Sequence, residues 1–326
     1  MIKKFIFLYV ATPFLCAAVS FGEGHLKKAS FMPLWSPQAQ FAGYYVAYEK
    51  GIFRNHGLDI TILSGGPNNN PVKLLKSGKA DFVVLWLSAA IRERSLGAPL
   101  VNIAQANQRS SLMLIAKKSG GINSPSDLNG KKVSYWEGDL SIQPKAFISK
   151  YNLKVTMIPQ TYTVNLFLRG GVDAISAMWY NEYHTVINSG VNQDELTAFF
   201  YDEHGLNFPE DGIYALESTT SRDPELCRAF VQASLEGWEY AFAHEEETLD
   251  IILKYMKKAG LPANKVHQQW MLRKMNGLMM PGGDKSALGA LKEEDYERVV
   301  SEMLKAGAVK SAPEYIRFYR PAGLQQ

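Results

Sequence analysis

LKSGKADFVVLW, residues 75–86, and LRGGVDAISAMW, residues 168–179, align without a gap. Each carries a leucine, a basic residue, a glycine, an apolar run and a closing tryptophan. Glycine after a helical pattern is a stop signal, and a short apolar run bounded by turn signals reads as a buried strand. Only three of the twelve positions are identical, so chance competes with repetition. Taken as one repeated helix–glycine–strand–tryptophan unit, the pair predicts two similar lobes. In open parallel sheets ligands bind beyond the carboxyl ends of the strands, where Trp86 and Trp179 fall.

The surrounding sequence extends this pattern. Strand and helix signals alternate from Ala29 to about Ala215, which predicts an α/β fold with largely parallel sheets. ASFMPLW reads as a first strand, QAQFAGYYVAYEKGIF as a helix ending at Gly51, and LDITILSG as a second strand. PVKLLKSG follows as a helix opened by proline. From Asp223 onward the pattern is helical alone. A chain that builds one lobe, crosses to a second and returns to cover the first with helices accounts for this. The expected divisions are a signal peptide over 1–22, a first lobe over 28–115, a second over 116–213, and a return strand with C-terminal helices over 214–326.

Thirty-five basic and 32 acidic side chains give a net charge of +3 over 326 residues. MIKK followed by FIFLYVATPFLCAAV has the charged start and apolar core of an export signal. Its removal takes Lys3 and Lys4 and leaves about +1. That balance, with no basic stripe carrying interleaved aromatics, gives no support for nucleic-acid binding. The apolar run of about 15 residues is short for a membrane span of about 20, so release into the periplasm is expected over an N-terminal anchor. Pro13, Phe14 and Leu15 before Cys16 lack the small residue that precedes a lipidated cysteine. Cys227 would then be the one remaining cysteine, a half-buried packing residue in a helix with no disulfide partner.

Enzymatic motifs are missing. The sequence holds no GxGxxG, no phosphate loop ending in GK[ST], no nucleophile elbow and no paired-histidine metal motif. Its six histidines, His25, His56, His184, His204, His244 and His267, are scattered and read as surface residues, so no metal and no cofactor is expected. Aromatic residues instead collect at strand-to-helix junctions: Trp35, Trp86, Trp136, and Trp179 with Tyr180. Each alone could be plain core; together they predict an apolar pocket for a small aromatic ligand.

Glu182 is the sharpest candidate, because a carboxylate accepting two parallel hydrogen bonds can read an aminopyrimidine edge. Asn181 as helix N-cap and Glu182 in the first turn is the competing account. Gly65 and Gly66 could admit a ligand to backbone N–H groups, or simply turn the chain. Trp136 and Glu137 carry the same ambiguity.

WSPQAQFAGYYVAYEKGIFRNHGLDITILSGGP, GKADFVV, INSPSDLNGKKVSYW and AMWYNEYH together resemble periplasmic substrate-binding proteins of ABC importers, in the branch for thiamine pyrimidine precursors. The match runs from about Ser30 to Ala215. It implies a type II-like two-lobe fold closing on a ligand, with Trp35, Tyr44 and the Tyr180–Glu182 segment in the pocket. It also implies an inner-membrane permease as partner, a monomer, and no catalysis. The ligand would be hydroxymethylpyrimidine or formylaminopyrimidine, with riboflavin or another flat heterocycle as the alternative. The related fungal pyrimidine-forming enzyme uses a cysteine-rich iron site and a pocket histidine, and Leu87 falls where that histidine would stand. A sensor module on the same fold is the third class, separable by gene neighbourhood.

Overall fold

The structure, a computed structural model, describes residues 26–322, so the expected export signal, Cys16 and His25 fall outside the described residues. The first sheet takes β1 (Lys27–Met32), β2 (Leu58–Ile62), β3 (Phe82–Leu85) and β4 (Leu100–Gln105). The second takes β5 (Leu112–Lys117), β6 (Lys132–Tyr135), β7 (Thr156–Pro159), β8 (Ala174–Met178) and β9 (Leu196–Phe200). The chain then returns to the first sheet through β10 (Gly212–Leu216). The strand orders are β2-β1-β3-β10-β4 and β7-β6-β8-β5-β9. They match place for place, with β3 and β8 both third, so the echo between residues 75–86 and 168–179 marks equivalent strands of two lobes.

Both sheets are mixed. β1 runs parallel to β2 and β3, and β6 to β7 and β8. β10 and β5 run antiparallel to both of their neighbours. Each of these two strands follows a crossover from the other lobe, so the chain enters the sheet at the end where its neighbours leave. The lobe change expected after residue 115 falls earlier, because β5 from Leu112 onward is bonded within the second sheet. The return likewise precedes Gly212, the first residue of β10.

Helices cover the sheets: α1 (Ala42–Glu49), α2 (Pro71–Lys76), α3 (Leu87–Ser95), α4 (Ile142–Lys150) and α5 (Glu182–Asn188) in the alternating part. α6 (Pro224–Ala243), α7 (Glu245–Lys258), α8 (Lys265–Met279) and α9 (Glu293–Lys305) follow. α6 lies against α1 with glycines at the crossing. A Cβ on Gly43 would sit 2.3 Å from the Trp238 ring, and one on Gly237 would sit 2.3 Å from the Gly43 carbonyl oxygen. The Phe230 ring of α6 stacks on Phe82 of β3 with centroids 4.1 Å apart, which ties the late helices to the first sheet. Cys227 is buried in α6, and burial pushes its thiol up to about 12, so it packs and does not react.

α8 explains why helices alone follow β10. The Ala39 N–H donates to Gln268 Oε1 at 2.7 Å, fixing the turn before α1 from behind. From that seat on the first lobe, α8 also reaches the second.

Candidate functional site

The four tryptophans stand where the strands end, all half-buried. Trp86, Trp136 and Trp179 directly follow β3, β6 and β8, whereas Trp35 lies a short way beyond β1 because that strand stops at Met32. Trp35 meets Tyr162 of the second lobe with ring centroids 5.8 Å apart. Trp136 donates its indole N–H to the Thr161 carbonyl at 3.2 Å, steadying the loop that presents Tyr162. Trp35 and Trp136 therefore come from opposite lobes to one aromatic contact. The ion pair Arg92–Asp139, at 2.9 Å, joins α3 to the second lobe as well.

Gly65 and Gly66 support this contact from within the protein. A Cβ at Gly65 would lie 2.2 Å from the Trp35 carbonyl oxygen and 2.3 Å from that of Pro33, so only glycine lets the two loops touch. Gly66 has φ +126, open to glycine alone. The helix that follows has its N-terminus closed by Asn70, whose side chain accepts from the Lys73 N–H at 2.9 Å. Glu137 is exposed at the head of a short turn, apart from the buried groups.

Deeper, the returning crossover brings in two acids that the sequence reading passed over. Glu210 and Asp211 are adjacent and buried, Asp211 only 3% exposed. Glu210 accepts from the Ser111 N–H at 2.7 Å, the Ser111 hydroxyl at 2.7 Å and the Ser110 hydroxyl at 3.0 Å, so it staples one crossover to the other. Asp211 has φ 56, a left-handed backbone rare outside glycine. Its Oδ2 accepts from Gln40 at 2.8 Å and from Asn107 at 3.4 Å. Its Oδ1 has no well-formed hydrogen bond, although the Trp86 indole N–H lies close enough to favour the charged acid. Tyr44 OH, Trp86 Nε1 and Asn107 Oδ1 are among the other buried polar atoms left without one. Burial, then the charge of Glu210, holds the Asp211 carboxyl well above its usual range, with Gln40 and Trp86 opposing. Asp211 in turn raises the phenols of Tyr44 and Tyr180, after burial itself.

Tyr44 is core by its ring, 4.5 Å from that of Phe31 and 5.9 Å from that of Trp238; only its hydroxyl is left unpaired. The cluster draws on the first lobe (Gln40, Tyr44, Trp86), both crossovers (Asn107, Asp211) and the second lobe (Tyr180). Unpaired buried polar atoms are costly unless something else satisfies them.

In the segment AMWYNEYH the polar side chains bond to one another, to their own backbone and to α8. Asn181 is the N-cap of α5 by position, yet its side chain makes no capping bond. It donates to Glu182 Oε1 at 2.8 Å and accepts from His267 Nε2 at 2.9 Å. Glu182 Oε2 accepts the Met178 N–H at 3.0 Å, and burial raises this acid despite those bonds. Two of the scattered histidines meet here: His184 and His267, from opposite lobes, have Nδ1 atoms 2.9 Å apart. Their reading as surface residues fails because α8 crosses to α5, and sequence distance hides that contact. The His184 ring stacks on Trp270 at 4.6 Å, and the Trp270 N–H donates to the Trp179 carbonyl at 2.9 Å. Burial holds both imidazoles below their usual range, His267 at about 4.

Gln40, Asn107, Glu210 and Asp211 carried little signal in the sequence. NFPEDG reads as a turn, since Asp-Gly is a turn dipeptide. Among the described residues no group of three or more His, Cys, Asp or Glu side chains could hold a metal ion, and no helix is long and apolar enough to cross a membrane.

The profile of the family described as NMT1/THI5 like matches residues 38–248, more than half of the chain. A formylaminopyrimidine-binding protein of Halalkalibacterium halodurans is 24% identical over 91% of this chain and 92% of its own length. The riboflavin-binding protein RibY of Chloroflexus aurantiacus is 25% identical over 72% of this chain and 68% of its own. In structure the chain is similar to the periplasmic aliphatic sulphonate binding protein SsuA of Escherichia coli, with a TM-score of 0.69 at 14% identity, covering 92% of this chain and 94% of that one. The last likeness carries the fold: two mixed sheets flanked by helices, as in periplasmic binding proteins.

Proposed function

Because the chain belongs to the NMT1/THI5-like family, we propose that it is a substrate-binding protein that captures a pyrimidine-type vitamin precursor between its lobes and delivers it to an ABC permease. One observation carries this reading: four buried polar atoms without partners, Asp211 Oδ1, Asn107 Oδ1, Trp86 Nε1 and Tyr44 OH, in a cluster that both lobes and both crossovers build. A flat nitrogen heterocycle supplies the missing donors and acceptors while its faces meet aromatic rings. Ligand that touches both lobes binds the closed state better than the open one, so it drives closure. Trp35, Trp136 and Tyr162 would then shut the entrance.

Release into the periplasm and action as a monomer belong to the same reading. Catalysis does not. Leu87, fully buried at the head of α3, offers no chemistry where the fungal enzyme's histidine would stand, and Cys227 is a packed thiol far up its titration range. The test is thermal unfolding of the protein with hydroxymethylpyrimidine, formylaminopyrimidine, thiamine or riboflavin. Ligand at a hundredfold its dissociation constant adds about 2.7 kcal/mol, which lifts the midpoint by a few degrees. A rise with a pyrimidine supports the reading, and a rise with riboflavin alone replaces the ligand while keeping the receptor. No rise with any of the four discards the vitamin-precursor reading.

A further inference from the structure

The reading above leaves open which side chain recognises the ligand's polar edge. Glu182 has the chemistry, but both of its oxygens already serve the protein. One of its oxygens takes the Met178 N–H at 3.0 Å and the other takes the Asn181 amide at 2.8 Å. Asn181 is anchored in turn by His267 at 2.9 Å, so the Glu182 carboxylate serves the start of α5 and its junction with α8.

Asp211 has an oxygen to spare. Gln40 and Asn107 both donate to Oδ2, which makes that oxygen the acceptor and leaves Oδ1 to carry a proton when the acid is neutral. The Asn107 amide, turned with its nitrogen to Asp211, leaves its own Oδ1 as a second unpaired group, and Asn107 is fully buried. The two side chains, in contact through Asn107 Nδ2 and Asp211 Oδ2 at 3.4 Å, thus hold a donor at Asp211 Oδ1 and an acceptor at Asn107 Oδ1. The left-handed backbone of Asp211 and the bonds that pin Glu210 next to it fix where that donor points.

We propose that Asp211 and Asn107, and not Glu182, read the edge of the ligand, and that this edge is a ring nitrogen next to an exocyclic amino group. The Asp211 O–H donates to the unprotonated ring nitrogen, and the amino N–H donates to Asn107 Oδ1. An oxo-pyrimidine reverses both partners: its ring N–H meets a donor and its carbonyl meets an acceptor. Burial keeps the acid neutral near pH 7, which is the form this pairing needs. The assignment rests on the pyrimidine-receptor reading and sharpens it to amino over oxo.

The experiment is calorimetric titration of the full-length mature protein with 4-amino-5-hydroxymethyl-2-methylpyrimidine and with its 4-oxo counterpart. The parent protein should prefer the amino compound by about 30-fold or more, the scale of two mismatched buried hydrogen bonds. Asp211→Ala and Asn107→Ser should each bind the amino compound at least about tenfold more weakly and lose most of the preference. Asp211→Asn, whose amide keeps an acceptor for Gln40 and Asn107 and a donor for the ring nitrogen, should keep the preference. Glu182→Gln should keep the parent's amino-to-oxo ratio. The ratio is the deciding number, because a variant that is merely less stable weakens both ligands alike. If Asp211→Ala and Asn107→Ser keep the ratio and Glu182→Gln abolishes it, the edge-reading role returns to Glu182 and the pyrimidine receptor stands. If the parent binds neither compound, the receptor reading falls and the assignment falls with it.

Discussion

Replacing Glu210 by glutamine separates the charge of this buried acid from its shape. Oε1 accepts from the Ser110 hydroxyl, the Ser111 N–H and the Leu112 N–H, at 3.0, 2.7 and 3.3 Å, and Oε2 accepts from the Ser111 hydroxyl at 2.7 Å. Glutamine keeps one carbonyl oxygen for the first three, and its amide can donate to the Ser111 hydroxyl, which accepts as readily as it donates. The cost of the exchange in shape is therefore about 1 kcal/mol or less.

Charge works the other way. Burial pushes Glu210 from 4.5 to about 7. The folded chain thus holds a proton that the unfolded chain has already released. The stability of the parent is complete below about pH 4.5 and falls by about 1.4 kcal/mol per pH unit until about pH 7. Glutamine has no proton to lose. The stability of Glu210→Gln relative to the parent should accordingly rise by about 2–3 kcal/mol between pH 5 and pH 8, and relief of Asp211 from its neighbour's charge adds to the gain. Urea unfolding followed by tryptophan fluorescence across that range measures the difference directly. A difference constant to within about 0.5 kcal/mol would refute the argument, because it would mean that the acid ionises in the folded protein without penalty.

Gly65→Ala forces a methyl group onto the Trp35 and Pro33 carbonyl oxygens at 2.2 and 2.3 Å, and should cost about 2 kcal/mol or more in thermal stability and weaken ligand binding with it. His184 and His267 titrate in the opposite sense to Glu210. Burial depresses both, and Lys274 depresses His184 further, so their contribution is present above about pH 6.5 and is lost as pH falls towards about 4. His267→Gln should flatten that acid-side loss in urea unfolding between pH 7 and pH 5. Arg92→Gln removes an ion pair between the lobes and should speed ligand dissociation about two- to fivefold in stopped-flow fluorescence, with the parent's rate approaching the variant's at high salt.

The local signals in the chain carried the architecture. Glycine stops, short apolar runs and the repeated tryptophan are properties of neighbouring residues, and they predicted paired lobes with aromatic residues at the strand ends, as the matching strand orders and the Trp86 and Trp179 positions bear out. Strand direction was less legible. β5 and β10 look like any buried strand in sequence, and they run against their neighbours only because each arrives from the other lobe.

The chemistry of the site was the least visible part. Glu182 looked like a free carboxylate because nothing in AMWYNEYH tells that Met178 and Asn181 donate to it. Asp211 looked like a turn residue, and it becomes a buried acid only when the return crossover carries it to Gln40 and Asn107. His184 and His267 are 83 positions apart and meet across two helices. The sequence by itself determined the periodicities from which strands, helices and two matching lobes follow, since these depend on residues a few positions apart. Only the tertiary structure decided which polar groups are buried, paired or left over, because desolvation and hydrogen bonding depend on what the folded chain brings alongside.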